Sequence, residues 1–406
     1  MDRVTLPDRA WRRRPGLDWL VTCLDAEDGA ARWVGGAVRD TLLGLDVADI
    51  DLATRFPPDE VVRRLTAAGI KAVPTGIAHG TVTAVTDGTV VEVTTLRLDV
   101  EPQGRKAIVA FTDDWQADAA RRDFTMNALY ADPLTGEVFD WFGGLDDLRA
   151  RRVRFIGDPY RRIEEDHLRI LRFFRFHARF GDTIDDAGLE ACTARANDLL
   201  ALSRERIAAE LLKLLVAPAA VPVVALMVER GIFRPVLPEI ADVPALAALV
   251  GRERASGVAP DAIRRLAALI APAEAEAVGA RLRLSNVDRK RLVAASAGLG
   301  DEGPRGLAYR VGASGAIDRL LLAGAPLDDI QGWSAPRLPV GGGDLVARGL
   351  AKGPEVARAL RAIEAQWIAE GFPDAARVDA IADAVTAQAL RATSNAQASS
   401  AQSGRA

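Results

Sequence analysis

The pattern of apolar and polar positions changes near residue 145. Before it, short β-branched runs alternate with turn residues. Val82-Thr83-Ala84-Val85 and Val90-Val91-Glu92-Val93-Thr94-Thr95 flank Asp87-Gly88, which predicts a hairpin in a strand-rich region over residues 70–111. Helices are predicted over residues 17–27 and 57–68, the second with proline in its favoured first turn. Beyond residue 145 the strand signal fades. Ile163, Leu168, Leu171 and Phe174 form an apolar stripe, while Asp166, Arg169 and Arg172 fall three apart on another face of the same predicted helix. Ser203 and Ser285 are N-cap signals, and Gly341-Gly342-Gly343 reads as a loop before an Asp344 cap. From Ala392 the chain is mostly Ala, Ser, Gln and Asn, which predicts a disordered tail.

Between the first helix and the hairpin lies the stretch with the most chemistry. Trp33-Val34 runs into Gly35-Gly36, then Ala37-Val38-Arg39-Asp40, then Asp49-Ile50-Asp51. A glycine pair lets backbone N–H groups approach a polyphosphate, and the start of a helix favours negative charge. Asp49 and Asp51, at i and i+2 of a predicted strand, share one face and can hold a hard cation. Arg39 adds a cation nearby. The stretch reads as a metal-plus-triphosphate site.

Composition narrows the class. With 406 residues and 49% hydrophobic content, the chain is long enough for about two to four packed domains. The net charge of −4 does not announce a nucleic-acid partner. Residues 149–179, however, hold ten Arg against four acidic residues, a net +6, and predict a basic neck in an acidic protein. Cys23 and Cys192 form no ligand cluster and require no disulfide. No apolar run approaches a membrane span, so a soluble cytoplasmic protein is expected. The basic, Pro-punctuated residues 1–16 read as a solvated, frayed arm.

Two further runs carry paired charge. Asp118-Ala119-Ala120-Arg121-Arg122-Asp123-Phe124-Thr125-Met126-Asn127 holds groups that are costly to bury unless paired, and its arginines suit phosphate. Glu165-Asp166-His167-Leu168-Arg169 offers a carboxylate and a guanidinium, the acceptor and donor edges that a base can read. Together with Gly35-Gly36, Asp49-Ile50-Asp51 and Glu205-Arg206-Ile207, these runs make the chain resemble the tRNA nucleotidyltransferases (CCA-adding enzymes) and bacterial poly(A) polymerases. The motifs are specific over residues 33–215 and looser beyond.

The resemblance implies an α+β fold. A small mixed-sheet nucleotidyltransferase head (17–145) would follow the arm and precede an all-α neck (146–215), body (216–265) and tail (266–391), before the disordered end (392–406). It implies addition of CCA to the tRNA 3′ end from CTP and ATP, with Mg²⁺ on Asp49 and Asp51 and Glu92 as a third carboxylate. Gly35, Gly36, Arg39 and Arg172 would bind triphosphate. Asp123 would contact the ribose, Arg122 and Asn127 would order the pocket, and Asp166 and Arg169 would choose the base. The tail would bind tRNA, and the partner would be the tRNA 3′ end with its acceptor stem and elbow. Arg97, Asp99, Gly104 and Arg105 fit the family's loop between C and A addition, with Lys106 a departure. A poly(A) polymerase is the first alternative, disfavoured by the absence of a basic leader and by Thr75-Gly76-Ile77-Ala78-His79-Gly80-Thr81. C-only or A-only addition and a non-catalytic RNA-binding protein are the others. All three histidines precede residue 180, so no second, hydrolytic site is expected.

Overall fold

The computed structural model describes residues 3–99, 109–241 and 243–403. Contacts divide the chain into two units, Met1–Pro238 and Glu239–Ala406. That division falls inside the stretch expected to form a separate body.

The first unit is built on strands β1 (Ala31–Val34), β2 (Asp51–Thr54), β3 (Lys71–Gly76), β4 (Thr81–Thr86), β5 (Thr89–Thr95), β6 (Arg97–Asp99), β7 (Val109–Phe111), β8 (Tyr130–Ala131) and β9 (Val138–Phe139). Seven of them form one sheet in the order β3-β4-β5-β2-β1-β8-β9, and β6 pairs with β7 apart from it. Only β2 and β5 run parallel, so the sheet is mixed, as expected. The β4–β5 hairpin turns at Asp87 and Gly88, both at positive φ. Along β5, Val91 and Val93 are buried and Glu92 is exposed between them. This period of two puts Glu92 on the open face. Residues 100–108 lie outside the described residues, and with them Gly104, Arg105 and Lys106 of the expected loop, as does the side chain of Asp99.

Helices α1 (Leu17–Cys23), α2 (Gly36–Leu42) and α3 (Pro58–Ala67) accompany the first strands. The first stops four residues before the expected end, because Asp25 takes a left-handed φ of 50° and a short 3₁₀ turn follows. Among its described residues, 3–16, the arm is not frayed. Leu6 and Trp11 are buried, Trp11 Nε1 donates to Thr41 Oγ1 at 2.8 Å, and Arg12 donates to the carbonyls of Leu6 and Pro133. Two apolar anchors outweigh the charge that made the segment look solvated.

Helices α4 (Trp115–Ala120) and α5 (Gly144–Arg149) lead into α6 (Pro159–Glu165), α7 (Arg169–Phe180), α8 (Asp186–Ala194), α9 (Arg204–Leu215) and α10 (Ala220–Glu229). The single helix expected through Asp166 is two. Asp166 is extended (φ −151°, ψ 105°), and its carboxylate accepts from Leu168 N at 3.1 Å at the entry to α7. An aromatic cluster ties α7 to the preceding motif: Phe173 stacks on Phe155 at 5.5 Å, and Phe124 meets Phe155 and Phe176 at 5.0 and 5.2 Å.

Every described element of the second unit is helical. Arg264, Arg265 and Arg291 neutralise the buried Glu253 and Asp318. Ser285 caps the helix Asn286–Ala295 as predicted. Asp344 instead lies inside the helix Gly342–Ala347 and reaches back to Gly341 N at 2.8 Å. The last helix, Ala375–Ser403, runs through most of the segment expected to be disordered. Its alanines favour helix more than the polar count suggested.

Candidate active site

The site grows from the Gly35 turn. Gly35 holds φ 66° and ψ −120°, a conformation closed to other residues without strain. A Cβ there would stand 3.4 Å from Arg122 Nη1 and 4.0 Å from Asp51 Oδ2, so the turn packs between a guanidinium and a carboxylate. The helix it opens, α2, has only seven residues. Positive charge near the turn comes chiefly from arginines on other elements.

Those arginines are pre-placed by buried acids. Arg122 donates to Tyr130 Oη at 3.0 Å and to Asp118 at 3.3 Å; Asp118 also receives Arg121 at 2.8 Å and Tyr130 at 2.5 Å. Burial would raise the Asp118 carboxyl, but Arg122 and Arg121 hold it below the ordinary range. Asp123 accepts from Arg172 at 2.8 and 2.5 Å and from Asn127 Nδ2 at 2.9 Å. Against burial, these partners keep it ionised as well. Arg172 and Arg175 lean on Glu210 of α9, at 3.9 and 2.5 Å. Arg39 is buried, donates to Asp40 and Asn127 at 2.7 and 2.5 Å, and lies 4.3 Å from the Phe180 ring centroid. The buried Arg162 donates to the carbonyls of Arg121 and Arg122.

Between these groups lies a cavity of about 360 Å³. Gly35, Gly36, Arg39, Asp51, Arg122, Asp123, Asn127, Asp166, Arg169 and Arg172 all line it. The structure thus brings together residues spread over more than 130 positions of the sequence. Arg121, read from the sequence only as one of two phosphate-suited arginines, also lines it, as does Phe176, which was not singled out. Asp118, Tyr130, Glu210 and Arg162 were given no role there either, because their contribution is to hold other side chains. Asp166 is clasped by Arg206 Nη2 at 3.1 and 2.8 Å, and Arg169 donates to Glu165 at 2.5 Å and to the carbonyls of Arg162 and Arg121 at 2.8 and 3.2 Å.

The expected basic neck is largely neutralised. Arg152 and Arg154 pair with Asp147, Arg151 with Asp182, Arg162 and Arg169 with Glu165, and Arg175 with Glu210. The local count of +6 missed acids that lie outside the counted window.

A second cavity, about 760 Å³, is lined by Asp49, Asp51 and Glu92. Asp51 and Glu92 are direct partners in the parallel β2–β5 register. Asp49 does not share the strand as expected; it sits in the bend before β2, yet reaches the same cavity. Burial, then Glu92, pushes the Asp51 carboxyl up to about 6, with Asp49 adding to the rise and Arg122 opposing it. Among the described residues, no hydrogen bond or ion pair occupies these three carboxylates, and no group of three or more His, Cys, Asp or Glu side chains is arranged to hold a metal ion. Magnesium is commonly held by one or two carboxylates together with substrate phosphates. Acceptor-only oxygens that repel one another beside a polyphosphate-sized cleft fit that mode.

The repulsion has a consequence for stability. A carboxyl raised in the folded state costs stability above its folded pKa and none below its unfolded value, here between about 6 and 3.8. Asp51→Asn is therefore expected to raise the melting temperature of the metal-free protein at pH 8 and to leave it nearly unchanged at pH 4. Calorimetry at the two pH values in chelator checks this.

Residues 31–154 match the family described as "Poly A polymerase head domain", and residues 183–243 match "Probable RNA and SrmB- binding site of polymerase A". The mitochondrial CCA tRNA nucleotidyltransferase 1 of Danio rerio is 36% identical over 379 residues, covering 87% of this chain and 86% of the relative. The CCA-adding enzyme of Anoxybacillus flavithermus is 41% identical over 224 residues, 55% of each chain. The crystal structure of the Bacillus stearothermophilus CCA-adding enzyme in complex with CTP superposes with a TM-score of 0.66 at 27% identity, covering 87% of this chain and 93% of that one. No described helix is long and apolar enough to cross a membrane. With its head domain matched by the family model and most of its length aligned to these relatives, the chain belongs to the family of CCA-adding tRNA nucleotidyltransferases and poly(A) polymerases.

Proposed function

We propose that this chain is a CCA tRNA nucleotidyltransferase, which adds C, C and A to the tRNA 3′ end from CTP and ATP and releases pyrophosphate. The observation that carries the reading is the position of Asp51. It lies on the wall of both the arginine-lined cavity and the carboxylate cavity. A triphosphate held by Arg39, Arg122 and Arg172 over Gly35 and Gly36 would present its α-phosphate beside the carboxylates.

Asp49 and Asp51, with Glu92 beside them, would hold Mg²⁺ jointly with the substrate's phosphates. Held there by Asp49 and Asp51, Mg²⁺ would supply a lowered pKa at the attacking 3′ hydroxyl and charge compensation at the leaving oxygen. The chain's own residues do the positioning. Asp123, with Asn127, would lie at the ribose; Phe124 N, Asn127 Nδ2 and Arg172 already use its four lone-pair sites, so a ribose hydroxyl would have to displace one of them. Asp166 and Arg169 read the base. A carboxylate has about four lone-pair sites, and Arg206 and Leu168 N use three on Asp166. Arg169 retains its Nε–H and one Nη2–H. Cytosine and adenine each offer an exocyclic amine beside an acceptor nitrogen, which suits one free acceptor and one free donor. Uracil and guanine present the reverse. The helices after residue 145 would take the acceptor stem and elbow.

A tRNA ending in CC tests the single-cleft reading. With ATP at its KM, CTP should inhibit A addition competitively, UTP and GTP should not, and chelator should stop the reaction. Non-competitive inhibition by CTP would mean separate sites and would contradict it.

A further inference from the structure

The carboxylate cavity also contains a guanidinium. Arg14 lines it beside Asp49, Asp51 and Glu92, and is the one cation among its described lining residues. Its Nη2 donates to the carbonyl of Val47 at 3.2 Å, two residues before Asp49. That bond leaves most of the five guanidinium donors available, on a side chain that is exposed.

The segment presenting Arg14 is clamped in place. Upstream, Trp11 is buried against Thr41. Downstream, Thr89 Oγ1 donates to the Pro15 carbonyl at 2.9 Å. Gly16, at φ +80°, lies so close to the hairpin that a Cβ would stand 2.2 Å from Thr86 Oγ1. Arg14 is thus carried by a short bridge between α2 and the β4–β5 hairpin. Much of the ordering cost of using it is met on folding.

With the triphosphate held by the arginines of the other cavity, which shares only Asp51 with this one, an anion drawn here would be a different group. In-line displacement puts the attacking hydroxyl opposite the leaving pyrophosphate. With the triphosphate in the arginine-lined cavity, the carboxylate cavity is the approach of the RNA 3′ end. Three carboxylates repel RNA phosphates there, and a guanidinium fork counters that repulsion at one place. Resting on the function proposed above, we infer that Arg14 binds a phosphodiester of the unpaired 3′ end of the RNA and so sets the terminal hydroxyl over Asp49 and Asp51.

The test is a binding titration by fluorescence anisotropy, without nucleotide, of wild type, Arg14→Ala and Arg14→Lys against a CC-ended tRNA at several salt concentrations. Arg14→Ala should bind about tenfold more weakly and lower the log–log salt slope by about 1, with Arg14→Lys between. On a tRNA trimmed of its unpaired 3′ nucleotides the difference should vanish, and the KM for ATP should not move. Equal binding by Arg14→Ala and wild type overturns the inference, as does a difference that persists on trimmed tRNA. A rise in the KM for ATP together with a lowered melting temperature would mark Arg14 as a prop for Val47 instead. Wild type that binds tRNA but adds no nucleotide would defeat the proposed function and leave this binding result to be read by itself.

Discussion

Replacing Asp51 by Ala, alone or with Asp49→Ala, is expected to lower nucleotide addition by at least about 10³-fold, the scale of losing a principal electrostatic stabiliser of the transition state. CTP binding should survive in large part, because Arg39, Arg122 and Arg172 are held by partners other than Asp51. The stability of the fold should not suffer. Asp51 has no partner to lose among the described residues, and its carboxyl is pushed up to about 6 by burial and by Glu92. Loss of activity with retained or increased thermal stability separates a chemical role from a structural one. Rapid-quench measurement of addition, alongside calorimetry and CTP titration, checks all three parts. Weak activity accompanied by unfolding would contradict the assignment.

The second large effect concerns the choice of base. Asp166→Ala and Arg169→Ala should each relax discrimination against UTP by about 10- to 100-fold, the range of about 1–3 kcal/mol for a lost base-edge contact. The two variants should differ in their structural cost. Asp166→Ala frees Arg206, which is half exposed and can be solvated. Arg169→Ala removes a guanidinium that bridges Glu165 and the carbonyls of Arg162 and Arg121, so it should lower stability as well. Competition between CTP and UTP on a tRNA lacking CCA measures the effect as a ratio of kcat/KM. Unchanged selectivity in both variants would move base reading elsewhere in the cleft.

Much of this site was legible because its chemistry sits in short, dense runs. The Asp87-Gly88 turn announced the β4–β5 hairpin, and the alternation in β5 put Glu92 on its open face. The Gly35 turn with the Asp49-Ile50-Asp51 stretch was readable for the same reason, whereas the roles of the Arg122–Asn127 run came from the family resemblance, since paired charges alone also suit a structural ion-pair network. What escaped depended on long-range pairing. Residues 149–179 looked strongly basic, but Asp147, Asp182 and Glu210 lie outside that window and neutralise several of its arginines. The arm looked solvated because its arginines outnumber its two anchors, Leu6 and Trp11. The break at Asp166 left a trace, since an Asp before a fresh apolar repeat is an N-cap signal. The stronger apolar stripe concealed it. Asp118 and Tyr130 were visible as residues, but their function lies in whom they hold.

The length of the product decides between CCA addition and its alternatives. Purified protein with Mg²⁺, CTP and ATP would be given tRNA transcripts ending before CCA, after C and after CC, with products resolved to one nucleotide. Every transcript is expected to be completed to CCA, with no addition beyond it. A long A ladder would contradict it in favour of a poly(A) polymerase, addition of only C or only A would reveal a divided pathway, and no addition to any transcript would leave a protein that binds RNA without extending it.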